Sequence, residues 1–454
     1  MSQTTRNANK NTAASSGDMS WWHLSLVGIG CTVGTGYFLG SSIGIRVTGP
    51  SIVFSFILAA LGTYIVFSSL AKMTAADPQE GSFCYYADKA FGRWAGFSSG
   101  WNYWCSSVLI MGSQLTALAI LTQLWFPSIP LWLFSAIYAV LSILIVLLGT
   151  KSFDKMEDLF AVIKTAAIIM FIILAIAALA GWIPSKTEEA FQLSLAMSAL
   201  FPGGFGGFWA SFIYAFYAYG GIEVIGLMAM QLKNKEEAPK AGKVMLFSLA
   251  TVYVLSLTLA VMMVPIHSFT TDESPFVTAL ADYSLPFFKH AFNGAIIIAG
   301  FSTMTAALYG VTALLVIIAK DENAPSVFRR TIQWKDVPLP SLGLGAVGLL
   351  ASVLTALLLP ETIYEYITTA AGILLLYNWL FIIASSSRNL KEEGVLQKTG
   401  SISGIVIVLV AVSGTVMEGS IRPGFYISFI FVCVIAVVTL YMNRKWKKEA
   451  YSES

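Results

Sequence analysis

Gly28-Ile29-Gly30-Cys31-Thr32-Val33-Gly34-Thr35-Gly36-Tyr37-Phe38-Leu39-Gly40 lies inside the first hydrophobic run, which extends from Trp21 to Thr48. Five of these thirteen residues are glycine, and each costs about 1 kcal/mol against alanine inside a helix. A helix broken in hydrocarbon leaves N–H and C=O groups unpaired at several kcal/mol each. Such a break survives only where protein or a cavity surrounds it. The spacing predicts that the chain unwinds near Val33–Gly36 and that the freed backbone groups bind a ligand at mid-membrane. The plainer alternative is close helix packing through small residues.

The whole chain frames that reading. It has 454 residues, 56% hydrophobic and 11% charged, against about 25% charged in an ordinary globular domain. This is the composition of an all-α polytopic membrane protein. Cys31, Cys84, Cys105 and Cys433 show no CxxC spacing, and His23, His267 and His290 are scattered, so no metal site and no disulfide framework is implied. A net charge of +2, spread as it is, points to no nucleic-acid partner. Met1–Ser20 reads as a disordered tail, with no cleavable signal pattern behind it.

About 20 apolar residues cross the hydrocarbon core, and the chain offers twelve such spans. They run Trp21–Thr48, Ser51–Met73, Trp94–Trp125, Leu131–Gly149, Asp158–Trp182 and Phe208–Leu232. The rest are Val244–Pro265, Ala291–Ile318, Leu342–Leu359, Tyr364–Ser385, Ile402–Val416 and Phe425–Met442. With twelve spans, all of the 27 Lys and Arg residues but Arg46, Lys186, Lys289 and Arg422 fall on the side that holds the tails. The positive-inside rule then places both termini in the cytoplasm of a multi-pass cell-membrane protein.

The sixth span carries a second interruption, Ala215-Phe216-Tyr217-Ala218-Tyr219-Gly220-Gly221-Ile222-Glu223. Broken spans at corresponding positions point to an inverted-repeat transporter. The expected organisation is a cytoplasmic tail (1–20), a first repeat of five spans (21–182), a second of five (183–388), two further spans (389–442) and a cytoplasmic tail (443–454). A half-helix N-terminus near Gly36 offers N–H groups and a positive dipole end to a carboxylate. The candidate residues there are Thr32, Val33, Gly34, Thr35 and Gly36. Free carbonyls where the sixth span stops, near Phe216–Tyr219 and Gly220, suit an ammonium group. Together they describe a site for an α-amino acid, whose side chain would face Phe216, Tyr217 and Tyr219 and parts of the third and eighth spans, where Tyr103 and Ser302 are candidates. For any one aromatic, plain core packing is an equal reading.

Two charged residues lie within spans. Glu223 stands just after the second break, where a charge at mid-bilayer costs about 2.5–3.5 kcal/mol. It is expected to bridge the two unwound segments, with proton carriage as the sharper alternative. Lys164 sits about two turns into the fifth span. It either snorkels to the surface or stands as a fixed ammonium near the first span, where a coupling sodium ion would otherwise sit. Burial makes its charge costly, so it could lose and regain a proton during transport.

These residues resemble the amino acid permeases of the amino acid–polyamine–organocation superfamily. The likeness runs through Val33–Ser41 with Gly49-Pro50, Pro78 with Gly81-Ser82-Phe83, and Gly100-Trp101-Asn102-Tyr103-Trp104. It continues through Phe216–Glu223 with Glu236–Ala241, Lys164, and Asp321 with Ala324-Pro325. The resemblance implies the 5+5 inverted-repeat fold of sodium-coupled neurotransmitter transporters, with helices 1 and 6 discontinuous. It implies amino acid uptake driven by protons rather than sodium, with no cofactor. Three positions depart from the family pattern. Lys72 stands where glutamate is usual, Ala313 where arginine is usual, and Gly220-Gly221-Ile222-Glu223 where Gln-Gly-Thr-Glu is frequent. The third removes polar groups, and no extra acid stands at either break to pair a cationic side chain. A neutral, bulky amino acid is therefore expected over a cationic one. The rivals are a sodium symporter using Ser302, Thr303 and Thr305, an exchanger, a non-transporting sensor and a channel.

Overall fold

The computed structural model describes residues 17, 19–148, 150–186, 196–223, 226, 228–285, 287–331, 337–358, 363–390 and 395–452. Most of the expected Met1–Ser20 tail lies outside them, as do Gly149, Leu359 and Val224, Ile225 and Leu227 of the sixth span. Among the described residues no β-strand forms; two isolated bridges, Met19 to Leu232 and Ser185 to Tyr283, are the extended pairings.

The helices are α1 (Trp21–Thr32), α2 (Thr35–Phe38), α3 (Gly40–Thr48), α4 (Ile52–Ala76), α5 (Ser82–Phe91), α6 (Arg93–Gln123), α7 (Leu131–Leu147) and α8 (Thr150–Leu179). Then come α9 (Met197–Leu200), α10 (Gly204–Ala218), α11 (Ala238–Met263), α12 (Pro275–Ala279), α13 (Phe288–Lys320), α14 (Leu339–Leu358), α15 (Ile363–Asn389), α16 (Val395–Met417) and α17 (Arg422–Ser452). Among the described residues, nine helical stretches are long and apolar enough to cross a membrane, and Leu131–Leu147 is a shorter apolar helix. This is a multi-pass membrane protein. Nine is fewer than the twelve spans expected from the sequence, and the helix lengths show where the two counts part. The breaks leave α1 at 12 residues and α10 at 15, each short of a full crossing, while Thr35–Ala76 runs on as one apolar stretch. The last helix continues to Ser452, so most of the expected C-terminal tail is helical.

Packing places α6 at the centre, against α13 and α15. A row of small polar side chains on one face of α6 stitches it to α15. Ser99 bonds Asn378 at 2.9 Å, Asn102 donates to Leu374 O at 2.8 Å, Ser106 to Ala371 O at 3.0 Å, and Ser113 pairs with Thr368 at 2.6 Å. Their spacing of three, four and seven residues is that of one helix face, and such bonds hold helices together in lipid. Around this axis α1 packs on α8 and α11, and α10 on α3, α4, α15 and α16. Helix α8 packs on α11 and α13, α7 on α6, α13 and α14, α14 on α6 and α13, and α15 on α4.

Candidate functional site

The first helix stops where the glycines cluster. Val33 closes α1 by donating to Ile29 O at 2.9 Å and then turns extended (φ −72°, ψ 103°), as does Gly34 (φ −148°, ψ −163°). Helix resumes at Thr35, one residue before Gly36, so the unwound segment is Val33–Gly34 rather than Val33–Gly36. Tyr37 N and Phe38 N both donate to Gly34 O at 3.1 Å. The N–H groups of Gly34, Thr35 and Gly36 have no earlier turn to bond.

Close neighbours explain the glycines. A Cβ on Gly34 would stand 2.7 Å from Thr303 Oγ1, and one on Gly36 would stand 2.7 Å from Tyr217 Cδ1 and Cε1. The Tyr217 ring thus covers the first turn of α2. Tyr364 donates its hydroxyl to Thr35 O at 3.2 Å. Thr32 is turned back on its own helix, donating to Gly28 O at 2.8 Å.

The second stop is tighter. Tyr219 N donates to Phe216 O and Gly220 N to Tyr217 O, both at 3.0 Å. Tyr253 donates to Ala218 O at 3.3 Å. Of the carbonyls expected to be free at this end, those of Phe216, Tyr217 and Ala218 therefore each carry one bond already, leaving one lone pair apiece. Gly221 sits at φ +107°, a conformation that glycine alone adopts cheaply. A Cβ there would also stand 3.2 Å from Cys31 O and Thr32 Oγ1. The two breaks therefore touch.

The three aromatics at the end of α10 diverge. Tyr217 lies on Gly36. Phe216 turns the other way, packing edge-on to Trp379 with centroids 5.9 Å apart and against Gly62 of α4. Tyr219 packs at a tilt against Tyr253 and donates to Phe56 O at 3.3 Å. Ala215 and Ala218 are buried beside them. Of the three, Tyr217 is the ring that meets the first break.

Glu223 is 1% exposed. Its Oε1 accepts from Tyr103 at 3.1 Å and from Gly221 N at 3.2 Å, and its Oε2 accepts from Trp379 Nε1 at 3.4 Å. These bonds tie the second break to α6 and α15, not to Val33–Gly36 as the bridging expectation had it. Tyr103 is accordingly a partner of Glu223. Lys164 does not snorkel: it is 1% exposed, and its amine donates to Gly30 O at 2.6 Å, in the last turn of α1.

On α13, Thr303 meets the break, and Ser302 is buried on the same helix. Thr303 is held in turn by Gln114 of α6, whose Nε2 donates to Thr303 Oγ1 at 3.1 Å. Gln114 was not anticipated. Its signal was there: it follows Tyr103 by 11 residues, three helical turns, and so shares its face.

A family model described as amino acid permease matches residues 23–449. The uncharacterized transporter YcgH of Bacillus subtilis is 51% identical over 98% of both chains. The aromatic amino acid transport protein AroP of Corynebacterium glutamicum is 31% identical over 82% of this chain and 81% of its own. The gamma-aminobutyric acid permease of Bacillus subtilis is 30% identical over 83% and 80%. These relatives are transporters, and so this protein is a transporter of amino acids and not an enzyme. The paired breaks, the buried lysine and the match over nearly the whole length lead to one conclusion: the chain belongs to the amino acid permease family, within the amino acid–polyamine–organocation superfamily.

Proposed function

We propose that this protein is a secondary active transporter that takes up a neutral, bulky L-amino acid together with protons, by alternating access across the cell membrane. The contact between the two breaks, Gly221 against Cys31 and Thr32, carries the reading. It sets the α2 N-terminus near the α10 C-terminus, so that a carboxylate and an ammonium can be held by opposite backbone ends. Val33–Gly36 would take the carboxylate once the Tyr217 ring moves aside. The second lone pairs of the carbonyls at Phe216–Ala218 would take the ammonium.

The 5+5 arrangement is supported by packing that maps onto itself when the two halves are exchanged. Helix α1 packs on α11 as α10 packs on α4, and α8 packs on α13 as α15 packs on α6. Likewise α7 meets α6 as α14 meets α13, and α1 meets α8 as α10 meets α15. Twelve spans with both termini in the cytoplasm agree with this pairing and with the Lys and Arg distribution.

Proton coupling is assigned to Lys164 and Glu223. The Lys164 amine, buried and bonded to Gly30 O at 2.6 Å, stands at the end of α1 where a sodium ion would need that carbonyl. Aromatic amino acids are the favoured substrates, since relatives are named for them and no extra carboxylate stands at the breaks. A thermal-shift screen against the twenty amino acids and γ-aminobutyrate identifies the ligand, because a ligand stabilises the state it binds. Sodium-free proteoliposomes with an acid-outside gradient then test coupling. Accumulation abolished by a protonophore is expected; accumulation that requires sodium overturns proton coupling.

A further inference from the structure

We infer that Gln114 is a specificity-determining residue, whose amide oxygen accepts a hydrogen bond from an N–H or O–H on the substrate's side chain. This rests on the amino acid transport proposed above and deepens it. Two side chains around Gly34–Gly36, on two different helices, carry buried polar atoms with no hydrogen-bond partner: Thr35 Oγ1 and Gln114 Oε1. Thr35 is fully buried, and Gln114 is 7% exposed. Buried polar groups are nearly always paired, and an unpaired one costs about 1–3 kcal/mol. Their convergence on the first break points to a ligand that completes them.

The network fixes what Gln114 offers. Thr303 spends its proton on Gly300 O and Ala299 O, at 3.0 and 3.2 Å. Its oxygen can then only accept from Gln114, which it does at 3.1 Å. The NH2 end of the amide is thereby committed, and the oxygen is left as an acceptor. Thr303 Oγ1 in turn lies 2.7 Å from the Cβ position of Gly34, which places the amide beside the first break. A carboxylate has no proton to give that oxygen, and the ammonium is assigned to the far side, at the end of α10. What remains is the substrate's side chain, directed towards α6 and α13. A site built around an unpaired acceptor favours a substrate that brings a donor and penalises one that leaves the acceptor bare. Tyrosine and tryptophan qualify; phenylalanine does not.

The test is paired competition in proteoliposomes, with L-tyrosine against L-phenylalanine and L-tryptophan against its indole N-methyl analogue. The wild-type protein is expected to favour the donor-bearing member of each pair by about tenfold, the worth of one buried hydrogen bond. Gln114→Met, which keeps the length and removes the acceptor, should close the gap by losing tyrosine and tryptophan uptake. Thr303→Val, which frees the amide to turn, should narrow it. A wild-type ratio near one overturns the inference, as does a Gln114→Met protein that loses both members in equal proportion. Uptake of other amino acids without any of these four overturns it and leaves the transporter reading standing. Uptake of no amino acid at all overturns both.

Discussion

The two breaks differ in why they need glycine and in what holds them. At Val33–Gly34 the backbone is extended, in angles open to any residue, and it is the neighbours that exclude a side chain: Thr303 against Gly34 and the Tyr217 ring against Gly36. At Gly221 the backbone itself, at φ +107°, demands glycine. The first break is held by donors to backbone carbonyls, from Tyr364 to Thr35 O and from Lys164 to Gly30 O. The second is held by a carboxylate with three donors around it. One segment thus keeps N–H groups with no earlier turn to bond under the Tyr217 ring, while the other is anchored to α6 and α15. In the proposed function, a ligand has more to gain at the first, and the second serves as its frame.

The hardest way to break this contrast is Gly36→Val. Its Cβ would press into Tyr217 at 2.7 Å, and overpacking of that kind costs about 1–3 kcal/mol before any ligand is considered. Substrate-induced thermal stabilisation should vanish and uptake should fall by at least tenfold. Gly206→Ala on α10, where nothing lies within 4 Å, should leave both intact. Normal substrate affinity in a folded Gly36→Val protein would move the site away from the first break. Next in size is Lys164→Ala, which removes the amine from Gly30 O. Accumulation driven by a pH gradient should drop by about tenfold or more while exchange of external for internal substrate continues; the two are measured on the same vesicles. Equal loss of both would make Lys164 structural.

Glu223→Gln probes the frame. An amide keeps the shape but points an NH2 group at Tyr103 or Trp379, both donors to the native carboxylate. One unsatisfied buried group costs about 1–3 kcal/mol. Uptake should fall severalfold with less effect on the amount of folded protein; the opposite pattern, unfolding with normal specific uptake, would confine Glu223 to stability.

The places where helices stop were legible because glycine gathers where a lipid-facing helix has no reason to tolerate it. The phase of the resumed helices was not. Phe216, Tyr217 and Tyr219 are near neighbours in sequence, yet at 100° per residue they face Trp379, Gly36 and Tyr253 respectively. Which of them meets the break depends on how α4, α11 and α15 pack, and that information is spread over the whole chain. The partners of Glu223 were hidden for the same reason, lying 120 and 156 residues away. Gln114 was missed differently. An amide among hydroxyls looks like another interhelical tie until Thr303 is seen to use up its donor end.

The smallest effect concerns a carboxylate in the opposite situation to Glu223. Asp77 follows α4, outside the apolar stretch, and accepts from Lys89 at 2.5 Å and from Gln79 at 2.8 Å. Lys89 first, then Gln79, holds its carboxyl below the usual carboxylate range, and Asp77 in turn raises Lys89. A lowered acid stabilises the fold above its ordinary value, about 3.9, and loses that contribution as pH falls through its folded value. A raised lysine stabilises below about 10.4 and loses its share as pH climbs through its folded value. The pair therefore contributes across the neutral range between those limits. Both side chains are partly solvated, Lys89 at 47% and Asp77 at 31% exposed, so screening confines the contribution to less than about 1 kcal/mol. Asp77→Asn should lower the thermal midpoint slightly at pH 7, and the difference from wild type should close below pH 4. A large loss at neutral pH would mean that this exposed pair, like the buried carboxylate, is part of the frame that holds the helices in register.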